Sequence, residues 1–283
     1  TSVPHHTAAP HRIGGTLADM HTPKLVALDM DGTLLITGGD IPDSFWPVLA
    51  EAREQGMTIA PASGRQLATL RDMFAQDAPD TFIAENGAVV WHEGEVVSTT
   101  PMPEAPVRRL VEAMGDAPFT AYAVVCAPEV CYTREDLPAE ISEEINNYYH
   151  SRKELASLID APLNATVKLA LYIQGDAETE ALDWVKDRVP ELRVLLSSKH
   201  WIDIMHPEAD KGRALEALAQ TLGVDLADTA AIGDYLNDLG MLQAAGYAVA
   251  MGNAHDDVTA IADEVCGTVA EEGAVVKLRE WLA

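Results

Sequence analysis

The sequence predicts an α/β fold: an open parallel sheet with helices on both faces, interrupted by an inserted α+β segment and completed after it. Three observations predict it. Leu25-Val26-Ala27-Leu28 is a short continuous apolar run of the kind a parallel sheet buries on both faces. A strand-and-helix rhythm runs from there to residue 88 and resumes after residue 206. Between them, residues 89–206 carry a mixed pattern in which hairpin, strand and helix signals do not alternate regularly.

In chain order, residues 1–23 are polar, contain His5, His6, His11 and His21 among Pro, Thr and Gly, and read as a flexible tail. The first strand runs from Lys24 into Asp29-Met30-Asp31-Gly32. Ser44–Gln55 reads as a helix, Met57–Ala60 as the second strand and Arg65–Phe74 as the second helix. Thr81–Ala84 supplies a third strand, closed by the turn signal Glu85-Asn86-Gly87. Val89–Trp91 and Glu95–Ser98 bracket His92-Glu93-Gly94 as a hairpin that reads as the start of a different layer. A helical run follows over Ala105–Met114. Thr120–Val125, Ile141–Tyr149, Val167–Ile173, Glu178–Arg188, Arg193–Leu196 and Trp201–Met205 then supply the strands and helices of the insert.

The alternation resumes with a helix over Lys211–Leu222, a strand around Thr229–Ile232, a helix over Asp238–Ala245 and a strand over Tyr247–Ala250. Val258–Ala262 reads as a helix, Glu264–Cys266 as an edge strand and Gly273–Leu282 as a closing helix. The expected organisation is therefore a tail over 1–23, a core over 24–88 and 207–283, and an insert over 89–206.

Composition narrows the partners. Lys and Arg number 19 against 45 Asp and Glu, a net charge of -26 that repels nucleic-acid phosphates and anionic membranes, so neither is an expected partner. An anionic substrate then needs local correction by cations or a metal. Cys126, Cys131 and Cys266 form an odd set with no CxxC pair, which argues against a disulfide framework and a cysteine zinc site and fits a reducing compartment. Cys126 and Cys131 as a redox pair is the sharper alternative to buried free thiols. No stretch approaches 18 apolar residues and residues 1–23 lack a secretory apolar core, so a cytoplasmic location is the expectation.

The residues able to do chemistry gather at strand exits, where open α/β sheets bind ligands. Asp29 and Asp31 follow the first strand, and two carboxylates at that spacing can divide labour, one attacking an electrophile and the other moving a proton. An ordinary acidic turn is the plainer alternative. Asp234, Asn237 and Asp238 follow another apolar strand and Gly233; alone they could cap a helix, but carboxylates from two exits can jointly hold a hard cation such as Mg2+. Ser63-Gly64-Arg65 offers a hydroxyl and backbone amides to a phosphoryl oxygen at a helix start. Lys211 stands at the helix end that disfavours a cation, a small misfit that a phosphate-contacting lysine explains.

Together these motifs resemble the haloacid dehalogenase-like hydrolase superfamily, and within it the Cof-type phosphatases with a large cap of type IIB. The resemblance rests on Leu28-Asp29-Met30-Asp31-Gly32-Thr33-Leu34-Leu35, Ala62-Ser63-Gly64-Arg65, Lys211-Gly212, Gly233-Asp234-Tyr235-Leu236-Asn237-Asp238-Leu239-Gly240-Met241 and Ala250-Met251-Gly252-Asn253-Ala254. Glu85-Asn86-Gly87-Ala88 matches the usual lead into that cap. The resemblance spans Lys24 to Ala283 and implies a three-layer Rossmann-like core with a parallel sheet, plus an inserted α+β cap.

It also implies roles. Asp29 is the nucleophile that forms an aspartyl-phosphate, and Asp31 protonates the leaving alcohol and then activates water. Mg2+ is held by Asp29, the main-chain carbonyl of Asp31, and Asp234. Ser63 and Gly64 bind a phosphoryl oxygen, Lys211 neutralises developing charge, and Asn237 and Asp238 position the phosphate, metal waters or Lys211. Arg65 balances the local acids or reaches the cap. Tyr235 and Leu236 are more apolar than the residues often found there; they either pack beneath the metal loop or shape one wall of the pocket, and core packing is the preferred reading.

In the insert, Tyr148, Tyr149 and His150, together with Lys199-His200-Trp201, are candidates for substrate contact, with an amphipathic helix end and a strand turn as the plainer readings. The expected activity is Mg2+-dependent hydrolysis of a small phosphorylated metabolite, a sugar phosphate first and flavin mononucleotide or pyridoxal phosphate next. A phosphomutase or phosphotransferase and a non-catalytic metabolite-binding regulator are the alternatives.

Overall fold

The computed structural model describes residues 22–283, so all but the last two residues of the expected tail lie outside the described residues. The chain begins with β1 (Leu25–Asp29), α1 (Phe45–Glu54), β2 (Thr58–Ala62), α2 (Leu67–Met73) and β3 (Thr81–Ala84), then the hairpin β4 (Val89–His92) and β5 (Glu95–Thr99). The insert contributes α3 (Glu104–Ala113), β6 (Ala121–Cys126), β7 (Cys131–Arg134), α4 (Ala139–Tyr148), β8 (Arg152–Leu155), β9 (Lys168–Ile173), α5 (Ala177–Glu180), α6 (Leu182–Arg188), β10 (Arg193–Leu196) and β11 (Trp201–Met205). The chain closes with α7 (Lys211–Leu222), β12 (Thr229–Gly233), α8 (Leu239–Ala244), β13 (Tyr247–Ala250), α9 (Asp256–Thr259), β14 (Glu264–Val265) and α10 (Gly273–Leu282).

These strands form an eight-stranded sheet in the order β14-β13-β12-β1-β2-β3-β4-β5 and a six-stranded sheet in the order β10-β11-β9-β6-β7-β8. In the larger sheet, every pair from β14 to β3 is parallel. All of β1 is buried, as its unbroken apolar run requires. Successive side chains point to opposite faces, so Val26 and Leu28 pack with Phe45, Phe82 and Trp281 on one side, while Leu25 and Ala27 pack with Leu215, Leu218 and Leu242 on the other. Helix, sheet and helix are thus three layers. The chain builds outward from β1 through β2 to β3, then returns to the other side of β1 with β12, which opens a crevice at the carboxyl ends between them.

One boundary is corrected. The β4–β5 hairpin does not open the insert, because β4 pairs antiparallel with β3 and extends the larger sheet. Glu85, Asn86 and Gly87 all have positive φ (51°, 53° and 92°), and this sharp reversal lays Val89 beside Ala84. The insert therefore leaves the larger sheet after Thr99.

In the smaller sheet one face carries Val125, Leu169, Leu171, Ile202 and Ile204 against Val107, Leu110 and Val185 of α3 and α6. The other face carries Lys168, Ala170, Tyr172, Trp201 and Asp203, alternate positions of β9 and β11 that stand opposite one another in the register. The region expected to be one helix over Glu178–Arg188 is broken at Ala181 into α5 and α6. Cys126 and Cys131 are cross-strand partners, both free and buried. Burial pushes both thiols up, Cys131 to about 12, which suits inert core thiols rather than a redox pair. Among the described residues, no helix is long and apolar enough to cross a membrane.

Candidate active site

Asp29 closes β1, and Asp31 follows two residues later. Gly32 then turns the chain at φ 84°, and a Cβ there would overlap the Asp234 carboxylate at the exit of β12, so glycine allows the two acidic loops to meet. Asn253 ties in a third loop by donating from Nδ2 to Gly32 O at 2.9 Å.

Lys211 is the first residue of α7, behind Asp210, whose side chain accepts from Gly212 N at 2.7 Å and Arg213 N at 3.3 Å. Its Nζ lies 2.6 Å from Asp29 Oδ1 and 2.7 Å from Asp238 Oδ1, with the lysine fully buried. The cation at a helix start is thus an ion-paired, enclosed group and not an exposed one. The second Asp238 oxygen accepts from the backbone N–H of Asp234 at 2.9 Å and of Tyr235 at 3.2 Å, which leaves both its oxygens engaged.

Burial raises Asp29 to about 7; Lys211 opposes the rise, and Asp238 and Asp234 add to it. Burial and the Asp238 charge raise Asp234 to about 6. For Lys211, burial disfavours the charge, but Asp29 and Asp238 outweigh it and hold the ammonium above its ordinary range.

One oxygen from each of Asp29, Asp234 and Asp238 lies within 4.8 Å of the others. When all three carboxylates are ionised they outnumber the Lys211 ammonium by two, and that crowding together with burial is what raises Asp29 and Asp234. Asp29 Oδ2 and Asp234 Oδ1 are buried and, among the described residues, have no hydrogen-bond partner. An all-oxygen donor set with that charge fits a hard divalent cation, with Asp29 and Asp234 as the side chains free to hold it.

Across the crevice, Ser63 is buried and its Oγ accepts from Arg65 N at 3.2 Å. Arg65 Nη2 lies 2.8 Å from Asp31 Oδ1, and Arg65 also lines the cavity that the insert closes, so both of its expected roles are open to it. Asn237 Nδ2 meets Asn86 Oδ1 at 3.5 Å. Asp31, Ser63, Gly64, Arg65 and Asn237 line one cavity of about 410 Å3, whose opposite wall is Tyr148, Tyr149, Lys168, Trp201 and Asp203 of the insert.

The insert is docked by specific contacts. Gln66 exchanges two hydrogen bonds with the backbone of Ser151, at 2.8 and 3.0 Å, and Thr69 Oγ1 donates to Tyr148 O at 2.8 Å. His150 and His200, expected as substrate contacts, do not line this cavity. His150 Nδ1 is 2.7 Å from Asp72 Oδ2, while His200 stacks on Tyr172 with Nδ1 at 2.8 Å from Gly175 O, so one ring nitrogen of each is engaged outside the cavity. Of the two readings of Tyr235 and Leu236, core packing is overturned: both side chains are exposed, and both line a cleft next to the site. Sequence reasoning missed Lys168 and Asp203. Lys168 had a usable signal: it is the lone charge in the apolar run Val167–Ile173, and a buried lysine requires a partner.

A model of the haloacid dehalogenase-like hydrolase family matches residues 26–278. The chain belongs to that family. Among its relatives, the putative phosphatase YkrA of Bacillus subtilis is 29% identical over 266 residues, covering 91% of this chain and 97% of the relative. Phosphatase YwpJ of the same organism is 28% identical and covers 92% and 100%. The solved structure of TM0651 from Thermotoga maritima shares the fold, with a TM-score of 0.80 over 92% of this chain and 97% of that one at 24% identity. This haloacid dehalogenase-like hydrolase is a phosphatase of the Cof type.

Proposed function

We propose that this phosphatase hydrolyses a small sugar phosphate in a Mg2+-dependent reaction that passes through an aspartyl-phosphate on Asp29. The observation that carries the reading is the pair of unlike carboxylates at the exit of β1: Asp29 is buried and braced by Lys211, whereas the Asp31 side chain is 63% exposed and faces the cavity. A braced carboxylate suits nucleophilic attack, and an accessible one suits proton transfer.

In this reading a carboxylate oxygen of Asp29 attacks phosphorus, the ester P–O bond breaks, and Asp31 gives its proton to the departing alcohol oxygen. Water then attacks the aspartyl-phosphate and passes a proton to Asp31, and inorganic phosphate leaves as the Asp29 carboxylate is restored. Lys211 and Ser63 stabilise the charge on the phosphoryl oxygens, and Arg65 orients Asp31. Asp29, Asp234 and the main-chain carbonyl of Asp31 would hold Mg2+, which when bound neutralises the surplus carboxylate charge and polarises the phosphoryl group.

Three features support a small anionic substrate. Arg65 and Lys168 in the cavity wall, with Lys211 beneath, bring ammonium and guanidinium donors to the site, and because each is already paired with a carboxylate, the bound Mg2+ would supply the positive charge that an anionic substrate needs. The cavity volume suits a metabolite. Asp203, Ser197 and Ser198 line it with groups that bond hydroxyls, while Tyr148 and Trp201, with ring centroids 5.6 Å apart, offer apolar faces to a sugar ring. Residues 100–206 act as the lid that recognises the leaving group and excludes water.

The test is phosphate release from a panel of sugar phosphates, each with Mg2+ and with chelator, using Asp29→Asn as control. Metal-dependent release from a sugar phosphate supports the reading. An isomeric sugar phosphate formed without net release would instead make the enzyme a mutase.

A further inference from the structure

Three successive carbonyls, those of Ser63, Gly64 and Arg65, each accept a hydrogen bond from outside their own loop. Asn86 N donates to Ser63 O at 2.9 Å and Glu85 N to Arg65 O at 3.0 Å, so the outer two are held by the turn that follows β3. The middle one is held by the insert, where Lys168 Nζ donates to Gly64 O at 3.2 Å. Resting on the phosphatase reading above, we propose that Lys168 is a positioning residue: it sets the phosphoryl-binding loop through the peptide between Gly64 and Arg65, and does so only while the insert is docked.

The grip is on one peptide plane. Its carbonyl end is bonded to Lys168, and its amide end, Arg65 N, donates to Ser63 Oγ at 3.2 Å. A planar peptide turns as a unit, so fixing the carbonyl also aims the N–H. With that lone pair of Ser63 occupied, the hydroxyl hydrogen is what Ser63 presents to the cavity it lines. Arg65, on the far side of the same peptide, carries the guanidinium that meets Asp31 Oδ1 at 2.8 Å. The hydroxyl that meets the phosphoryl group and the partner of the proton-transfer acid thus both hang from the plane that Lys168 holds.

Lys168 has little left to give a ligand. Its side chain is only 4% exposed, Glu85 Oε2 at 2.5 Å and Gly64 O at 3.2 Å lie against its ammonium, and the Tyr149 ring centre stands 5.2 Å away. Its donors are therefore spent on the protein. Glu85 completes the device from the other side: its N–H holds Arg65 O, while its carboxylate holds the ammonium that holds Gly64 O. Lifting the insert would free the middle peptide and leave the outer two tied, so the loop would keep its place in the fold but lose its aim.

The experiment uses the double variant Lys168→Met with Glu85→Gln, which removes one positive and one negative charge together. Loss of the donor is then accompanied by neither a stranded charge nor a change in net charge. Orthophosphate, which has no leaving group, is titrated by calorimetry with Mg2+ present, and kcat and KM are measured with a sugar phosphate. The dissociation constant for orthophosphate is expected to rise about tenfold or more and kcat to fall alike, the scale on which misplaced groups act, although the melting temperature recovers much of what Lys168→Met alone loses. Orthophosphate affinity and kcat within about twofold of the unaltered enzyme, with KM alone raised, would make Lys168 a leaving-group contact and overturn the proposal. Affinity and turnover that return together with stability in the double variant would also overturn it, since the pair would then be purely structural. So would a lack of orthophosphate binding by the unaltered protein, which would leave no cradle to aim. Orthophosphate affinity lost in the variant, with no phosphate release from any ester by the unaltered protein, would support the positioning role while overturning the hydrolytic reading.

Discussion

Lys168 Nζ lies 2.5 Å from Glu85 Oε2 with both side chains buried, which joins the smaller sheet to the loop that follows β3. The same ammonium donates to Gly64 O at 3.2 Å and stands 5.2 Å from the centre of the Tyr149 ring. Burial disfavours its charge, but Glu85, Tyr149 and Asp203 outweigh burial and hold the ammonium well above its ordinary range. The insert, the loop after β3 and the loop Ser63-Gly64 therefore meet at one enclosed charge.

Removing one partner of such a pair strands the other. Lys168→Met is expected to lower stability by about 3–5 kcal/mol in urea unfolding, and adding Glu85→Gln to recover a large part of that loss. Additive single effects in the double variant would show that the pair is not coupled.

Asp29→Asn keeps the shape of β1 but removes the carboxylate that, in the proposed mechanism, attacks phosphorus. Turnover is expected to fall by roughly three orders of magnitude or more, and no acid-stable, hydroxylamine-sensitive phosphoryl label should be trapped on the protein. Near-normal release by this variant would remove Asp29 from the nucleophile's role.

The crowding of carboxylates around Lys211 makes a specific prediction for Asp234. Without metal, Asp234→Asn should melt at a higher temperature than the unaltered protein, because one unbalanced carboxylate is gone. Addition of Mg2+ at about 100 times its dissociation constant should stabilise the unaltered protein by about 2.7 kcal/mol and the variant far less. An unchanged melting response to Mg2+ in the variant would place the ion elsewhere.

Gly87 has φ 92°, and a Cβ there would overlap the backbone carbonyl of Asp210, the residue that caps α7 and precedes Lys211. Gly87→Ala is expected to cost about 1–3 kcal/mol and to lower kcat more than it raises KM, since the start of α7 must shift and Lys211 with it. Full activity in a destabilised variant would separate the loop from the lysine's placement.

What could be read from the sequence follows from where the signal is local. β1 and β12 announce themselves as apolar runs ended by acidic, glycine-containing turns, and the residues of those turns are the ones that meet in the structure. The strands β7 and β8 were not legible, because Cys-Tyr-Thr-Arg and Arg-Lys-Glu-Leu at the margin of the smaller sheet alternate too weakly. The β4–β5 hairpin was legible as a hairpin but not as part of the larger sheet, since only the three positive φ values reveal which neighbour it joins. The Lys168–Glu85 pair, the burial of Lys211 and the exposure of Tyr235 all depend on residues distant in the chain.

The sheet order also sets a timetable for synthesis. A nascent chain that has emerged as far as Met205 already carries Asp29, Asp31 and Ser63, but β1 still has one open edge where β12 will pair. Lys211 and Asp234 arrive only after the whole insert has been made, so the ribosome-bound protein carries Asp29 long before the groups that surround it in the folded site. The acidic cluster stays unassembled until β12 has emerged, and the unpaired flank of β1 is the surface a chaperone would have to shield during that interval.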